Sequence, residues 1–335
     1  MSKHVVAADV GYSNLKCVWA MDSEAPVRLG GNAKVLPSGA RVVDESNARL
    51  VGRDESILVV VDGKKYEAGV TQNELSASRT LTPQYSQTPG YRALMNAALV
   101  LSGYQTVDMM VTGLPVSQYQ DAQLKEKLRA SLIGEREIAP GLVVNVLDAA
   151  VVAQPVGGYM DAVVSNSSDE VLREGDVLVI DPGFFSNDHI LLSNGSFIAE
   201  RSGTSNLSVH AILRKAVELM SENTGKAFGI DRLESALRQK KKRVLVEGQQ
   251  TNYQPFLAKA IEAIVPGAVE EICATLSVRG KRLAIDRVLV VGGGAELFIP
   301  TLKKVFGDHL VSSCPAPELA NARGFLHFGH SLLEG

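Results

Sequence analysis

One pattern occurs twice in this sequence and constrains its fold more than any other feature. An apolar run ends at an acidic residue, a glycine and small polar residues follow, and a second apolar run begins. The first copy is VVAADVGYSNLKCV (residues 5–18), and the second is DVLVIDPGFFSNDHIL (residues 176–191). Glycine and small polar residues between two apolar runs are typical of a β-hairpin. The repeat therefore predicts two similar halves, each of which begins with a hairpin.

The segments that follow each hairpin predict mixed α/β units, from apolar runs for strands and helical apolar spacing for helices. In the first half the predicted strands are 107–115 and 142–148, and the predicted helices are 89–103, 118–134 and 149–163. In the second half the predicted strands are 176–181, 188–193, 196–200 and 286–294, and the helices are 206–223, 230–238, 254–279, 295–306 and 318–333. A cleft between two such units is the expected ligand site.

The polar stretch SNSSDEVLREG (residues 165–175) predicts the boundary between the halves, because polar clusters between patterned segments are typical of loops. The first domain is predicted to span 1–164. Within it, residues 30–85 are rich in Gly, Asn, Ser, Pro and charged residues, and we expect them to form a small inserted subdomain. Residues 57–69 predict a hairpin there, with Asp62-Gly63 as its turn.

The overall composition excludes several classes of protein. A net charge of −3 and a pI of about 6.1 provide no basic field for direct binding of nucleic acid. The three cysteines are far apart and have no metal-ligand spacing, which excludes zinc ribbons and disulfide frameworks. No secretory leader and no apolar run of about 18 residues are visible, so we expect a soluble cytoplasmic protein that does not bind membranes.

The first turn carries side chains that suit a phosphate group. Gly11 lets the backbone approach a ligand closely, and successive N–H groups in such a turn can hold an anion. Ser13, Asn14 and Lys16 add donors and one positive charge. Asp9 would repel a phosphate unless a cation lies between them, and hydrated Mg²⁺ is commonly held by carboxylates together with phosphates.

The second turn repeats the acid and the glycine, with Asp181 and Gly183, and a third glycine cluster follows in VLVVGGGAELF (residues 288–298). A strand, three glycines and a helix start place backbone N–H groups beside a ligand. A plain solvated hairpin explains either turn alone. Two such turns in equivalent places favour the interpretation that both bind the same polyphosphate. The glycine cluster matches neither the GxGxxG fingerprint nor the P-loop.

ADVGYSNLK, VIDPGFFSNDHI and VLVVGGGAELF, in that order, resemble the phosphate 1, phosphate 2 and adenosine motifs of the actin/Hsp70/sugar-kinase superfamily. Within it, the chain is most similar to the bacterial actin-like plasmid segregation proteins of the ParM/StbA group. The resemblance implies an α/β actin-like ATPase fold, with two duplicated RNase H-like domains around a nucleotide cleft. It also implies that a C-terminal helix, 318–335, completes the first domain and that the second domain is 165–317.

The resemblance assigns roles to individual residues. Asp9 and Asp181 would be the carboxylates on the Mg²⁺ side, and Asp188 would orient water or hold the second turn. The implied nucleotide contacts are Gly11, Tyr12, Ser13, Asn14 and Lys16 in the first turn, Gly183, Phe184 and Phe185 in the second, Gly292, Gly293, Gly294 and Ala295 in the adenosine motif, and Gly203, Lys215 and Glu218 between them.

More specific roles follow for some of these residues. Gly183 and Phe184 would offer backbone donors to the phosphates, and Gly293 and Gly294 would lie against the adenosine. The phenyl rings of Phe184 and Phe185 stand where the family has small residues, so we expect them to pack into the core or line the cleft.

The resemblance also implies that the residue that positions the attacking water falls within VVAQPVGGY (residues 151–159). Gln154 fits that position, because an amide can orient water and phosphoryl transfer depends mostly on positioning and electrostatics. A polar residue at a helix start before Pro155 is the alternative interpretation. Asp148 is the competing carboxylate, at the end of the preceding predicted strand.

The implied function is an ATPase that binds ATP or ADP, with GTP as an alternative nucleotide, together with Mg²⁺. It would form ATP-dependent dynamic filaments by self-association and segregate plasmids through a DNA-bound adaptor protein. A non-polymerising ATPase of division or chaperone type, or a small-molecule kinase, is the alternative. The charge run RQKKKR (residues 238–243) is interpreted as a solvated helix end, with contact to DNA, an adaptor, a neighbouring subunit or the nucleotide as alternatives.

Overall fold

The computed structural model of the chain describes residues 3–21, 27–43, 56–71, 75, 84–227 and 229–334. The chain forms two compact units. The first comprises Met1–Arg173 together with Cys314–Gly335, and the second comprises Glu174–Ser313.

The helices and strands of residues 3–174 follow in chain order. They are β1 (Val5–Val10), β2 (Asn14–Ala20), β3 (Ala33–Pro37), β4 (Gly39–Val42), β5 (Ile57–Val61), β6 (Lys64–Val70), α1 (Pro89–Ser102), β7 (Thr106–Val107), β8 (Met109–Leu114), α2 (Val116–Tyr119), α3 (Ala122–Leu132), β9 (Gly134–Ala139), β10 (Leu142–Val146), β11 (Ala149–Ala153), α4 (Gln154–Ser165) and α5 (Glu170–Glu174).

Residues 176–334 continue the numbering. They form β12 (Asp176–Pro182), β13 (Asn187–Ser193), β14 (Ser196–Ser205), α6 (Val209–Thr224), α7 (Ile230–Arg238), β15 (Arg243–Val246), β16 (Gln249–Asn252), α8 (Gln254–Thr275), β17 (Ser277–Val278), β18 (Lys281–Arg282), β19 (Arg287–Val290), α9 (Ala295–Phe306), β20 (Val311–Ser313) and α10 (Ala320–Glu334).

Each unit is built on a five-stranded sheet, and the two sheets have the same topology. In the first unit the strand order is β11-β8-β1-β2-β3, and in the second it is β14-β13-β12-β19-β20. In both, the first strand pairs antiparallel with the next strand of the chain and parallel with a later one. The predicted internal duplication is therefore confirmed.

The opening strand of each sheet, β1 or β12, lies at its centre. All six residues of β1 are buried, as are six of the seven in β12. A strand covered on both faces reads as a continuous apolar run, which explains why both hairpins were visible in the sequence. An acid that ends such a run is consequently buried as well.

The hairpin predicted at residues 57–69 is confirmed as β5 and β6. Its turn residues, Asp62 and Gly63, have φ angles of 50° and 74°. Positive φ at both positions is typical of a type I′ turn, which Asp-Gly favours. Together with β4 these strands form a three-stranded sheet. Residues 44–55, 72–74 and 76–83 of the expected inserted subdomain lie outside the described residues.

The single helix predicted over 118–134 is wrong. The chain instead forms α2 and α3, separated at Asp121, whose carboxylate accepts hydrogen bonds from Gln123 N (3.0 Å) and Leu124 N (3.1 Å). Asp at this position satisfies orphan N–H groups and starts a new helix. Gly134 does not cap the helix but begins β9.

The helix predicted over 149–163 is also wrong in its first five residues. Ala149–Ala153 form strand β11, which pairs in parallel with β8, and α4 begins only at Gln154. Pro155 suits this start because the first helical N–H groups need no partner within the helix. The correction places Gln154 at a junction between strand and helix.

The core of the second unit lies on one face of its sheet, under α6, α8 and α9. It includes Ile180 from the central strand and Phe298 from α9, both fully buried. The hairpin β15–β16 was not predicted, and RQKKKR runs from the end of α7 into β15. Within the described residues, no helix is both long enough and apolar enough to cross a bilayer.

Helix α10 packs closely against α4 in the first unit. A Cβ on Gly324 would lie 1.7 Å from the carbonyl oxygen of Gly157, so only glycine permits this approach. Arg323 donates from Nε and Nη2 to the two carboxylate oxygens of buried Asp161, at 2.7 and 2.6 Å. This paired contact fixes the rotation of α10 beside α4.

Candidate functional site

The turn of the first hairpin places Lys16 directly beside Asp9. The two residues face each other across β1 and β2, and Lys16 Nζ lies 2.8 Å from Asp9 Oδ2. The Asp9 side chain is only 3% exposed. Gly11 N donates to Asn14 O at 3.0 Å and closes the turn. The acid that ends the strand is thus buried with a cation beside it.

Gln154 reaches the same carboxylate from another strand end. Its Nε2 donates to Asp9 Oδ1 at 3.3 Å. Strands β11, β8 and β1 are parallel neighbours, so their carboxyl ends lie on one edge of the sheet. Gly113, on β8 between them, leaves the space that Gln154 fills, because a Cβ there would lie 2.9 Å from Gln154 Cγ. Gly113 was not identified as a site residue from the sequence.

Asp148, the competing carboxylate, lies just before the opposite end of β11. Its Oδ1 accepts from Arg129 Nη2 at 2.7 Å, and its side chain is 49% exposed. The length of the strand therefore separates Asp148 from Asp9. Gln154 is the candidate that the structure brings to the hairpin.

The first turn is anchored by the segments that flank it. Ser38 Oγ donates to Tyr12 O at 2.5 Å, and Ser38 N donates to Ser13 O at 3.1 Å. The ring of Tyr12 stacks on that of Tyr85, with centroids 4.7 Å apart. Tyr12 therefore packs within the first unit and holds the turn in place.

A buried hydroxyl chain supports the strand behind Asp9. Thr112 Oγ1 donates to Ala8 O at 2.7 Å, and the Tyr91 hydroxyl lies 3.2 Å from Thr112 Oγ1. Because the threonine proton goes to the carbonyl, the tyrosine must donate to Thr112. Burial raises the pKa of Tyr91, which keeps its hydroxyl protonated for this bond.

In the second hairpin, Asp181 faces Asp188 across β12 and β13, and both are buried. Asp188 Oδ2 accepts from Ser186 Oγ at 2.7 Å, and its Oδ1 accepts from Thr204 Oγ1 at 2.6 Å. These two contacts connect the turn to β14. We considered that Asp188 orients water or holds the second turn, and these contacts match the role of holding the turn. Thr204 was not identified from the sequence.

The backbone of the second turn is engaged internally. Gly183 N donates to Ser186 O at 2.8 Å and to Asp181 O at 3.0 Å, so it is not the open phosphate donor that we expected. The turn is also joined to the start of α6, where His210 N donates to Phe184 O at 2.7 Å. The two phenyl rings pack beside the imidazole of His210, with the Phe185 centroid 4.6 Å away.

The three glycines of the third cluster have different surroundings. Gly292 has φ of 79°, and a Cβ on it would lie 1.9 Å from Asp181 Oδ1. A Cβ on Gly294 would lie 2.5 Å from Pro182 O and from Val209 Cγ2. Gly293 has no heavy atom within 4 Å of its Cβ position. Gly292 and Gly294 thus permit close packing of the chain around them. We expected adenosine to lie against Gly293 and Gly294, but protein atoms fill the space beside Gly294. The space beside Gly293 is open.

The comparisons with known proteins agree with this architecture. A family model described as the N-terminal domain of actin-like proteins matches residues 7–157. The whole chain is similar in structure to Ta0583, an archaeal actin homolog, with a TM-score of 0.76, 18% identity, and coverage of 98% of this chain and 99% of that one. Ta0583 in complex with ADP gives a TM-score of 0.72 at 18% identity, covering 99% of this chain and 100% of that one.

A 15-stranded ParM filament from Clostridium botulinum gives a TM-score of 0.74 at 18% identity, covering 99% of this chain and 100% of its own. The chain has the actin-like fold. None of the curated proteins compared with it matches in sequence. The actin-like fold that the three motifs implied is thereby confirmed, as is the α/β fold class of duplicated units.

The remaining expected nucleotide contacts of this actin-like chain lie on β14, α6 and α9. Gly203 lies opposite His189 in β14, on the face of the sheet opposite to Asp188 and Thr204. Lys215 and Glu218 form an ion pair on α6, with Nζ and Oε1 3.1 Å apart. Ala295 is buried at the start of α9.

His189 is buried in the second unit. Its Nε2 lies 2.9 Å from Thr275 Oγ1, and burial lowers its pKa to about 4. The imidazole is therefore neutral at pH 7. Because Thr275 Oγ1 also donates to Ile272 O, at 2.7 Å, the histidine Nε2 must donate to the threonine oxygen, which fixes the proton on Nε2.

Within the described residues, no group of three or more His, Cys, Asp or Glu side chains could hold a metal ion by itself. Mg²⁺ does not require such a cage, because it keeps several waters and commonly binds one or two carboxylates plus substrate phosphates. Asp9 and Asp181, each at a strand end beside a glycine turn, fit that requirement as donors.

Proposed function

We propose that the chain is an actin-like ATPase that binds Mg-ATP and assembles into ATP-dependent filaments. The observation that carries the proposal is the contact between Gln154 and buried Asp9, beside Lys16. It joins an amide that can orient water, a carboxylate suited to hydrated Mg²⁺ and a cation suited to phosphate. Phosphoryl transfer needs such positioning more than covalent chemistry. The ADP complex of an archaeal homolog with the same fold supports the choice of ligand.

In the proposed mechanism, each residue of the site has a separate role. Lys16, with Ser13 and Asn14, binds the phosphates, and Gln154 orients the attacking water. Asp9 and Asp181 hold the waters of Mg²⁺, which when bound neutralises charge on the phosphate oxygens. The open side of Gly293 leaves room for the adenosine. ATP and ADP are the proposed nucleotides, and GTP is the alternative.

Filament assembly would follow from repeated head-to-tail contacts, because heterologous contacts that do not close into a ring give an open polymer. The fold shared with a ParM filament supports this step. We propose that the polymer acts in the cytoplasm, apart from membranes, and moves plasmid copies through a DNA-bound adaptor protein. The net charge of −3 agrees with a chain that does not itself bind DNA.

The test is 90° light scattering with ATP and Mg²⁺, recorded together with phosphate release. For the wild type we expect scattering to rise and then to fall as phosphate appears. For Gln154→Ala we expect the rise to persist, because assembly needs bound ATP and disassembly needs hydrolysis. Asp148→Asn is the matched control and should behave as the wild type.

Two results would contradict the proposal. ATP binding and hydrolysis without any rise in scattering would favour a non-polymerising ATPase. Transfer of the γ-phosphate to a small-molecule acceptor rather than to water would favour a kinase. Equal effects of the Gln154 and Asp148 variants on phosphate release would remove the role assigned to Gln154.

A further inference from the structure

The first unit contains a cavity that shares no residue with the Asp9 turn. It has a volume of about 280 Å³ and lies among the β5–β6 turn, α1, the end of α3 and the start of β9. Two arginines, Arg92 and Arg136, and two carboxylates, Asp62 and Glu137, are in its wall. The mechanism proposed above uses none of them.

Arg136 has no carboxylate partner within the described part of the chain. Its Nη1 donates to Leu132 O at 2.6 Å, and its Nε lies 3.4 Å from Asn96 Oδ1. Burial and the positive charge of Arg92 both lower the pKa of Arg136. The half-buried guanidinium of Arg136 lies near the positive charge of Arg92 and has no counter-ion. This arrangement is unfavourable unless an anion binds beside the two arginines.

Arg92 also keeps a donor that its neighbours do not use. Asp62 binds the end of the guanidinium, with Arg92 Nη1–Oδ1 at 2.8 Å and Nη2–Oδ2 at 2.5 Å. This end-on contact leaves Nε, which is buried and has no hydrogen-bond partner among the described residues. An unsatisfied buried N–H of a charged group is costly and is satisfied by a ligand or water.

The carboxylates of the cavity are directed to other partners. Glu137 Oε1 accepts from Gly141 N at 2.9 Å, in the turn between β9 and β10. Asp62 is held by Arg92 in a turn whose backbone has positive φ. Neither forms an ion pair with Arg136, so the cavity keeps one arginine without neutralisation.

We propose that this cavity binds a small oxyanion, a phosphate or carboxylate group, between Arg136 and the Nε edge of Arg92. Guanidinium groups match the planar, paired oxygens of both anions. The cavity is slightly smaller than the roughly 300–1,000 Å³ typical of sites for drug-sized ligands, which favours a small anion over a nucleotide.

Isothermal titration calorimetry tests the proposal with inorganic phosphate and, separately, with succinate, on the full chain without nucleotide. We expect at least one of the two to bind the wild type. Arg136→Gln should weaken binding by about tenfold or more, because a charged hydrogen-bonding partner is lost. Arg129→Gln, on α3 but outside the cavity wall, is the matched control and should bind as the wild type. Asp9→Ala should retain the part of the binding that Arg136→Gln weakens, because only anion bound at the nucleotide turn would respond to the loss of Asp9.

A second readout identifies the arginine directly. In ¹H–¹⁵N spectra, the Nε–Hε signal of Arg92 should shift on titration with the anion, and Arg92→Gln should remove that signal and weaken binding. Circular dichroism establishes that each variant is folded. Binding that Arg136→Gln and Arg92→Gln leave unchanged would overturn the proposal, and so would the absence of heat from the wild type at millimolar anion.

Discussion

Adjacent glycines in the third cluster give a sharp test of how Asp181 is held. In Gly292→Ala the new Cβ would lie 1.9 Å from Asp181 Oδ1, on a backbone with φ of 79°. In Gly293→Ala the same atom would meet nothing within 4 Å, and its φ is not in the left-handed region. The two substitutions add the same methyl group one residue apart, so each is the control for the other.

The expected loss of stability in Gly292→Ala has two parts. A left-handed backbone costs an alanine about 1–2 kcal/mol. The clash forces the buried carboxylate to rotate away from its present position, which costs about 1–3 kcal/mol when buried polar contacts are lost. We expect a fall of about 2–5 kcal/mol in the free energy of unfolding, or about 5–20 °C in Tm for a unit of this size.

Differential scanning calorimetry is the suitable assay. The only tryptophan, Trp19, is in the first unit, so fluorescence would not report on the second. Gly293→Ala should keep the wild-type Tm but weaken nucleotide binding, because the proposed adenosine side of the cluster is open there. Equal Tm values for the two variants would refute the inference that Gly292 is glycine because Asp181 occupies the space beside it.

Three further predictions concern single side chains. Gln154→Ala should lower the rate of ATP hydrolysis by about a hundredfold or more while nucleotide affinity changes little, since the amide contributes positioning; single-turnover phosphate release measures it. Thr204→Val should lower the free energy of unfolding by about 1–3 kcal/mol, because one oxygen of buried Asp188 loses its donor; calorimetry at constant pH would contradict this if Tm were unchanged. Because the pKa of His189 is lowered in the folded chain, the unfolded chain binds the proton more tightly. The contribution of the neutral His189 side chain to stability is therefore complete above about pH 6.5 and is lost as the pH falls to about 4. Thermal unfolding from pH 7.5 to 4 should therefore show a steeper loss for the wild type than for His189→Gln, and parallel curves would contradict it.

The hairpins could be predicted because both central strands are buried on two faces and end at a glycine turn. Strand β11 could not, because AAVVA suits a helix as well as a strand, and only its parallel partner β8 decides between them. The polar sequence of β16 concealed the hairpin that it forms with β15. Local sequence thus identified the central elements better than the exposed ones, whose structure depends on partners distant in the chain.

The candidate site was predictable in its residue types but not in all their contacts. The choice between Asp148 and Gln154 depends on the direction of β11, which places only one of them on the edge of the sheet where Asp9 lies. The different surroundings of Gly292, Gly293 and Gly294 depend on where Asp181 and Pro182 lie across the sheet. No local pattern contains that information.

The duplicated sheets place an acid at the same position but give it opposite partners. Asp9 faces Lys16, so its charge is already compensated within the hairpin, whereas Asp181 faces Asp188, another acid. Like charges directly opposite each other destabilise a strand pair by about 0.2–1 kcal/mol. Ser186 and Thr204 donate to the two carboxylate oxygens of Asp188 and so stabilise its buried charge. The two hairpins therefore stabilise their buried acids in different ways: the first with the positive charge of Lys16, and the second with hydroxyl donors.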